Sequence, residues 1–92
     1  MMVAARLTIA GRVQGVGFRA FVTREARRRG LRGWVRNRAD GSVETLLIGD
    51  AVALEAAIVA CGSGPALARV DRLAREAAED DGSPDFIERA TV

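Results

Sequence analysis

The segment from Gly11 to Arg19 reads GRVQGVGFR and places three glycines directly before a run with helical periodicity. Glycine adopts positive φ and lets a ligand approach the backbone closely. Unpaired N–H groups and the positive end of the helix dipole attract anions at a helix start, and the guanidinium of Arg19 adds a planar fork that fits phosphate oxygens. We therefore predict a phosphate-binding loop over residues 14–19, although an ordinary glycine-rich turn between a strand and a helix has a similar composition.

The residues on either side of this loop have the periodicities of a strand and a helix. Apolar and polar residues alternate over residues 3–12, which predicts a half-buried strand. After the loop, Phe18, Val22 and Ala26 recur at helical spacing, which predicts an amphipathic helix that ends at Gly30. The loop is therefore expected to connect the first strand to the first helix.

The next segment has the pattern of a β-hairpin. Two strands are predicted over residues 32–38 and 42–48, joined by the loop Ala39-Asp40-Gly41. A loop of this length pairs residues whose numbers sum to 80, so Asn37 lies opposite Val43 on the face with the smaller, core-like side chains. Because an unpaired buried amide is unfavourable, Asn37 either satisfies the backbone of the turn or has a functional role.

The second half of the chain adds a helix and two strands. Asp50 is expected to cap a helix that ends over residues 62–65, with Cys61 in the core. Residues 67–77 predict a strand with a bulge, and residues 86–92 a short last strand. The order β-α-β-β-α-β with this extra C-terminal strand predicts a ferredoxin-like α+β sandwich, in which two helices cover one face of an antiparallel sheet and the other face is solvated.

Length and composition are those of a single globular domain over residues 1–92. No apolar run approaches the length of a transmembrane helix. The chain has no histidine and a single cysteine, so neither an intrachain disulfide nor a structural zinc site is expected. The N-terminus lacks the pattern of a signal peptide. We therefore expect a cytoplasmic protein with no membrane partner.

The two halves of the chain differ in net charge. All 14 cationic residues are arginine, and the formal net charge is +2. Residues 1–49 carry 10 arginines and 3 acidic residues, whereas residues 50–92 carry 4 arginines and 9 acidic residues. The positive half contains the glycine-rich loop, where its field would attract anions. A solvated, arginine-rich helix face would produce the same excess of arginine over acidic residues.

Two longer motifs carry a resemblance to a known family. Residues 9–19 read IAGRVQGVGFR, and this segment resembles the first signature of the acylphosphatases. Residues 33–37 read GWVRN and resemble the second signature, which continues here with Gly41, Val43 and Gly49. The resemblance covers about residues 5–77. The family often ends with Phe-x-Ile-Arg, whereas this chain reads FIER over residues 86–89, so the register of the last strand is left open.

The resemblance implies hydrolysis of the carboxyl–phosphate bond of a small-molecule acyl phosphate, without a metal or another cofactor. It implies a phosphate-binding loop that consists of Gln14, Gly15, Val16, Gly17, Phe18 and Arg19. Within it Arg19 would bind the phosphoryl group together with backbone N–H groups, and Asn37 would hold the attacking water. These two are the implied catalytic residues, while the other loop residues would act through their backbone. Inorganic phosphate or sulfate is expected to inhibit.

Two alternative functions follow from the same features. Acylphosphatase-like modules also occur inside carbamoyl-phosphate-using maturation enzymes for hydrogenases, but a chain that ends at Val92 favours a stand-alone enzyme. We expect this enzyme to be a monomer. The same strand order carries RNA-binding domains, which stack bases on aromatic residues of the sheet. Trp34 is the one aromatic residue predicted on a central strand, so nucleic acid is not an expected partner. Leu46 and Ile48 would form a weak apolar patch with Trp34 on the solvated face.

Overall fold

The computed structural model describes all of residues 1–92 as one five-stranded sheet and two helices. The elements are β1 (Met2–Arg12), α1 (Phe18–Arg28), β2 (Arg32–Asn37), β3 (Val43–Asp50), α2 (Ala51–Ser63), β4 (Arg69–Ala77) and β5 (Phe86–Glu88). The strand order is β4-β1-β3-β2-β5. Buried side chains of both helices and of the sheet form a single main core. The predicted ferredoxin-like α+β sandwich is confirmed, and no helix has the length and apolar character needed to cross a bilayer.

The β2–β3 hairpin has the predicted register. Asn37 lies opposite Val43, and every pair along the two strands sums to 80. The pattern continues into the turn, where the N–H of Arg38 donates to the carbonyl of Ser42 at 2.9 Å. Gly41 has a φ of 93°, a conformation that glycine adopts without strain. The three-residue loop therefore fixes which side chains share a face of the sheet.

The predicted bulge lies between β1 and β4. Ala10 pairs with Arg72 but Gly11 pairs with Val70, so Asp71 is the extra residue. Gly11 has a φ of 134°, and a Cβ atom added there would lie 2.2 Å from the carbonyl oxygen of Arg69. Only glycine fits this close approach of the two strands. The extra residue bends β4 beside the point where β1 leads into the glycine-rich loop.

Asp50 and Cys61 have the predicted structural roles in α2. The carboxylate of Asp50 accepts hydrogen bonds from the N–H groups of Val52 at 3.0 Å and Ala53 at 3.4 Å, which caps the helix. Cys61 is 1% exposed in the core between the helices and the sheet. Burial raises the pKa of its thiol to about 12. The cysteine is therefore a small apolar core residue and not a reactive thiol.

The last strand differs from the expectation in length and direction. β5 contains residues 86–88 and runs parallel to β2, with Phe86 opposite Gly33. The sheet is therefore mixed, although its other four strands are antiparallel. β4 and β5 form opposite edges of the sheet and run antiparallel to each other. The chain between them has to cross one whole face before it pairs with β2.

The crossing segment, residues 78–85, covers the centre of the helix-free face. Ala78 packs against the cluster formed by Trp34, Leu46 and Ile48. Asp81 accepts a hydrogen bond from the indole N–H of Trp34 at 3.1 Å. These three apolar residues are 8%, 5% and 1% exposed, so they form a second small core. The sequence predicted a solvated face with an apolar patch, and that expectation is wrong at this position because the crossing segment buries the patch.

Candidate active site

The loop between β1 and α1 presents unpaired backbone N–H groups at its surface. Gly15 and Gly17 have φ values of 73° and 81°, and nothing lies within 4 Å of the position of a Cβ atom at either residue. None of the backbone N–H groups over residues 14–20 donates to another group of the protein. The first turn of α1 has no acidic residue, and Gly17 provides no side-chain cap. This loop and helix terminus can therefore bind an anion through backbone donors and the helix dipole.

Arg19 lies in the first turn of α1 with its charge uncompensated. The ion pairs of the chain involve the N-terminal amine and eight other arginines, and none includes Arg19. Its backbone is fixed one turn later, because the hydroxyl of Thr23 donates to the carbonyl of Arg19 at 2.8 Å. The guanidinium is therefore free to bind a phosphate beside the loop amides.

Asn37 ends β2 on the face of the sheet that carries the helices. It shares this face with Val35 and Val43, which belong to the main core. The hydrogen bonds of the turn come from other side chains, because Asp40 accepts from the N–H and hydroxyl of Ser42. The amide of Asn37 has no protein partner, and its polar atoms are not sealed from solvent. Asn37 therefore does not satisfy the hairpin backbone, and its amide can bind a water or a ligand.

The sheet topology and the side chain of Gln14 place the loop and Asn37 at the same end of the strands. β1 and β2 are both antiparallel to β3, so their carboxyl ends point the same way. The side-chain amide of Gln14 then donates to the carbonyls of Arg38 at 2.8 Å and Ser42 at 2.9 Å. These bonds attach the start of the loop to the turn that follows Asn37. The predicted site residues therefore lie at one end of the molecule.

The remaining loop residues have no polar side chain that could bind an anion, with one exception. Phe18 is 2% exposed and belongs to the main core, and Val16 packs against that core. Gly15 and Gly17 have no side chain to offer. The exception is Gln14, whose side chain makes the two bonds to the hairpin. No sequence pattern indicates this contact, because both acceptors are backbone carbonyls.

The arginines on both sides of Asn37 are bound to a buried carboxylate. Glu44 is 4% exposed and accepts hydrogen bonds from Arg36 at 2.8 Å and from Arg38 at 2.9 Å. Burial alone would raise the pKa of Glu44, but the hydrogen bonds from the two arginines outweigh burial and lower it. Both arginines are therefore hydrogen-bonded to a carboxylate, in contrast to Arg19.

The site is an open surface and has no set of metal ligands. No group of three His, Cys, Asp or Glu side chains is close enough to hold a metal ion. The largest concavity, about 580 Å³, lies along the exposed side of α1 and is lined by residues such as Arg24 and Arg27. It does not include the loop or Asn37. An anion at the loop would therefore be held by hydrogen bonds and charge, without an enclosing cavity.

Comparison with known proteins identifies the family. The family model "Acylphosphatase" matches residues 5–87. An acylphosphatase of Acidiphilium cryptum is 51% identical over 90 residues, which cover 98% of this chain and 99% of that protein. The crystal structure of the acylphosphatase from Bacillus subtilis superposes with a TM-score of 0.91 at 39% identity, covering 97% of this chain and 99% of the other.

A longer protein contains a similar module. The crystal structure of Thermococcus kodakarensis HypF matches all of this chain with a TM-score of 0.85 at 34% identity, but the match covers 12% of HypF. The acylphosphatases of Acidiphilium cryptum and Bacillus subtilis, in contrast, match over nearly their whole length. This chain belongs to the acylphosphatase family.

Proposed function

We propose that this protein hydrolyses the carboxyl–phosphate bond of acyl phosphates, and that it does so without a metal ion. The observation that carries this proposal is the set of unpaired loop N–H groups beside the uncompensated Arg19, with the free amide of Asn37 at the same sheet edge. Phosphoryl transfer requires mainly positioning and stabilisation of charge. The loop and Arg19 supply the charge stabilisation, and Asn37 supplies the positioning.

In the proposed reaction each residue has a separate role. The loop amides and the guanidinium of Arg19 bind the oxygens of the phosphoryl group. Asn37 holds a water molecule in line with the bond that breaks. Attack of this water on phosphorus releases the carboxylate, and the phosphoryl group becomes inorganic phosphate.

The leaving group explains why a general acid is dispensable. The conjugate acid of a carboxylate has a pKa near 4, so the group departs without protonation at neutral pH. The chain has no histidine and no tyrosine, and no acid or base side chain is identified at the loop. We infer that an oxygen of the substrate phosphate accepts the proton of the attacking water. A rate that rises steeply with pH, although no side-chain base titrates, would contradict this inference.

A substrate panel tests the proposed activity. Purified protein is assayed at steady state with acetyl phosphate and other acyl phosphates, with alkyl phosphate monoesters as controls. We expect turnover of the acyl phosphates and little turnover of the monoesters, because an alkoxide leaving group requires a proton. Comparable rates with both classes would show that the protein contains a general acid. Failure to hydrolyse any acyl phosphate would refute the proposed function.

The structure also bears on an RNA-binding role. Trp34 is 8% exposed, and the guanidinium carbons of Arg36 and Arg89 lie 4.6 Å and 5.2 Å from its ring centroid. A nucleic-acid base cannot stack on a ring that is covered in this way. This burial supports an enzyme over an RNA-binding domain of the same strand order.

A role as a module of a carbamoyl-phosphate-handling enzyme is the second candidate. A longer protein, HypF, contains a module of the same fold, and the match to this chain covers 12% of it. The acylphosphatase of Acidiphilium cryptum matches this chain over almost its whole length, which supports a stand-alone enzyme. We further propose a monomer, inhibited by inorganic phosphate or sulfate, that functions in the cytoplasm. The single unpaired thiol of Cys61 is compatible with a reducing compartment. Sedimentation tests the monomeric state, and competition by phosphate in the activity assay tests the inhibition.

A further inference from the structure

We propose that Gln14 is a positioning residue whose side chain sets the separation between the phosphate-binding loop and Asn37. This inference rests on the proposed function and assigns the side chain a task that backbone contacts do not perform. The amide nitrogen of Gln14 uses both of its hydrogens on the hairpin, with the carbonyls of Arg38 at 2.8 Å and Ser42 at 2.9 Å as acceptors.

The Gln14 amide is the hydrogen-bonded connection between the loop and the hairpin. The ladder between β1 and β3 ends at the pair Ile9–Val43, before the loop begins. No backbone N–H over residues 14–20 donates to the hairpin. The two structures that carry Arg19 and Asn37 are therefore joined at this edge by one side chain.

The hairpin side of this connection is rigid. The carbonyl of Ser42 also accepts from the N–H of Arg38, and the carbonyl of Arg38 accepts from the N–H of Gly41 at 3.1 Å. Asp40 closes the turn further, since it accepts from the N–H of Ser42 at 2.9 Å and from its hydroxyl at 2.6 Å. Gln14 thus binds two carbonyls that are already fixed relative to Asn37.

The residues that determine the shape of the loop differ from the residue that determines its position relative to the hairpin. Gly15 and Gly17 determine the curvature of the loop through their positive φ angles, and the buried Phe18 anchors the start of α1. Loss of the Gln14 amide would leave these features in place. We therefore expect the loop to keep its affinity for phosphate while its alignment with the water on Asn37 is lost.

The variant Gln14→Met tests whether phosphate affinity and catalytic alignment depend on different features of the loop. Methionine has a similar length to glutamine and no hydrogen-bond donor. We expect kcat for acetyl phosphate to fall roughly 10- to 100-fold, the effect of a misplacement on the order of 1 Å. Competitive inhibition by phosphate should change by less than about two-fold, because that binding precedes the chemistry. A folded variant with near-normal kcat, or one that loses phosphate affinity as much as kcat, would overturn the proposal.

A matched control removes a hydrogen bond of the same kind elsewhere. The hydroxyl of Thr45 donates to the carbonyl of Trp34 at 2.8 Å inside the sheet. Thr45→Val should lower the melting temperature and leave kcat unchanged. If Thr45→Val lowers kcat as much as Gln14→Met does, the effect of Gln14 is general destabilisation and the proposal fails.

A double-mutant cycle and a measurement without substrate complete the test. If Gln14 acts through Asn37, Gln14→Met should have little further effect on kcat in an Asn37→Ala background. If the two substitutions instead lower kcat independently, their effects will multiply, and the proposal is overturned. The NMR order parameter of the Asn37 side-chain amide, measured with bound phosphate, should fall in Gln14→Met and not in Thr45→Val. An unchanged order parameter would also overturn it. The order-parameter measurement needs no turnover, so it tests the role of Gln14 even if the wild type does not hydrolyse acyl phosphates. That failure would refute only the proposed function.

Discussion

Arg36 and Glu44 face each other across the β2–β3 pair, with 2.8 Å between Nε of the arginine and Oε1 of the glutamate. Arg38 donates to the same carboxylate oxygen at 2.9 Å. The two arginines precede and follow Asn37 in the sequence. A single buried carboxylate on the helix-free face therefore fixes the strand on both sides of the residue that is proposed to hold the water.

Replacement of this carboxylate should destabilise the protein. Glu44→Gln keeps the shape of the side chain but removes the charged acceptor of Arg36 and Arg38, and the ion pair with Arg6 at 3.6 Å. We expect the free energy of unfolding to fall by about 1.5–3 kcal/mol, the usual contribution of a hydrogen bond to a charged group. Denaturant unfolding measures this change. The matched control is Glu55→Gln, which breaks the exposed pair with Arg75 at 2.8 Å and should have a much smaller effect. Equal losses in the two variants would contradict the prediction.

The same carboxylate predicts how stability depends on pH. The pKa of Glu44 is lower in the folded protein than its usual value of about 4.3. A lowered folded-state pKa contributes stability that is fully present above the unfolded pKa and is lost as pH falls through the folded pKa. The wild type should therefore lose more stability than Glu44→Gln as pH falls below about 4. Melting curves over this range check the difference, and parallel curves would show that Glu44 does not contribute.

The register of the hairpin could be predicted from the sequence because loop length determines it. Once Ala39–Gly41 is identified as the loop, the position of Asn37 opposite Val43 on the core side follows by counting. The strand and the helix on either side of the glycine-rich loop follow from their periodicities in the same way. The loop and Asn37 could thus each be located along the chain, whereas their position at the same end of the strands follows from the pairing of β1 and β2 with β3.

The cover over Trp34 and the contact of Gln14 could not be predicted. Residues 78–85 have no apolar periodicity, and their path is determined by tertiary contacts such as the hydrogen bond from Trp34 to Asp81. The acceptors of Gln14 are the carbonyls of Arg38 and Ser42, which exist at every residue and leave no mark in the sequence. Sequence patterns report burial and turns, but they do not report which side chain crosses between two loops.

Inorganic phosphate should stabilise the fold. The loop amides and Arg19 are unpaired in the free protein, so an anion that binds there stabilises the native state alone. At 100 times its dissociation constant such an anion adds about 2.7 kcal/mol. Melting temperatures are compared in phosphate and in chloride at equal ionic strength, with Arg19→Ala as the variant that should lose the difference. Equal effects of the two salts on the wild type would contradict a preformed phosphate site.

Activity should require no added metal. The chain has no cluster of three potential metal ligands, and the proposed reaction assigns charge stabilisation to Arg19 and backbone N–H groups. Turnover of acetyl phosphate should therefore survive extended dialysis against EDTA, with the melting temperature as a control for folding. Loss of activity on dialysis, followed by recovery with Mg²⁺ or Zn²⁺, would show that a metal takes part.

The two proposed catalytic residues should differ in what their loss changes. Arg19 contacts the phosphoryl group in the ground state and in the transition state, so Arg19→Ala should weaken phosphate inhibition as well as rate. Arg19→Lys should not restore both fully, because an ammonium lacks the planar fork. Asn37 contacts the water, so Asn37→Ala should lower kcat and leave phosphate inhibition nearly unchanged. The expected loss in kcat is about 10²–10³-fold, typical of removing one preorganised polar group.

Stability has to be separated from chemistry before these rates are compared. Asn37 lies at the end of β2, where its carbonyl accepts a hydrogen bond from the N–H of Val92 at 3.2 Å. That bond involves the backbone and survives the change to alanine, so Asn37→Ala should melt close to the wild type. With folding established, a near-normal kcat in Asn37→Ala would remove the residue from the mechanism. A loss of phosphate affinity as large as that of Arg19→Ala would instead place Asn37 on the phosphoryl group, because an amide that contacts only the water cannot alter the binding of the product anion.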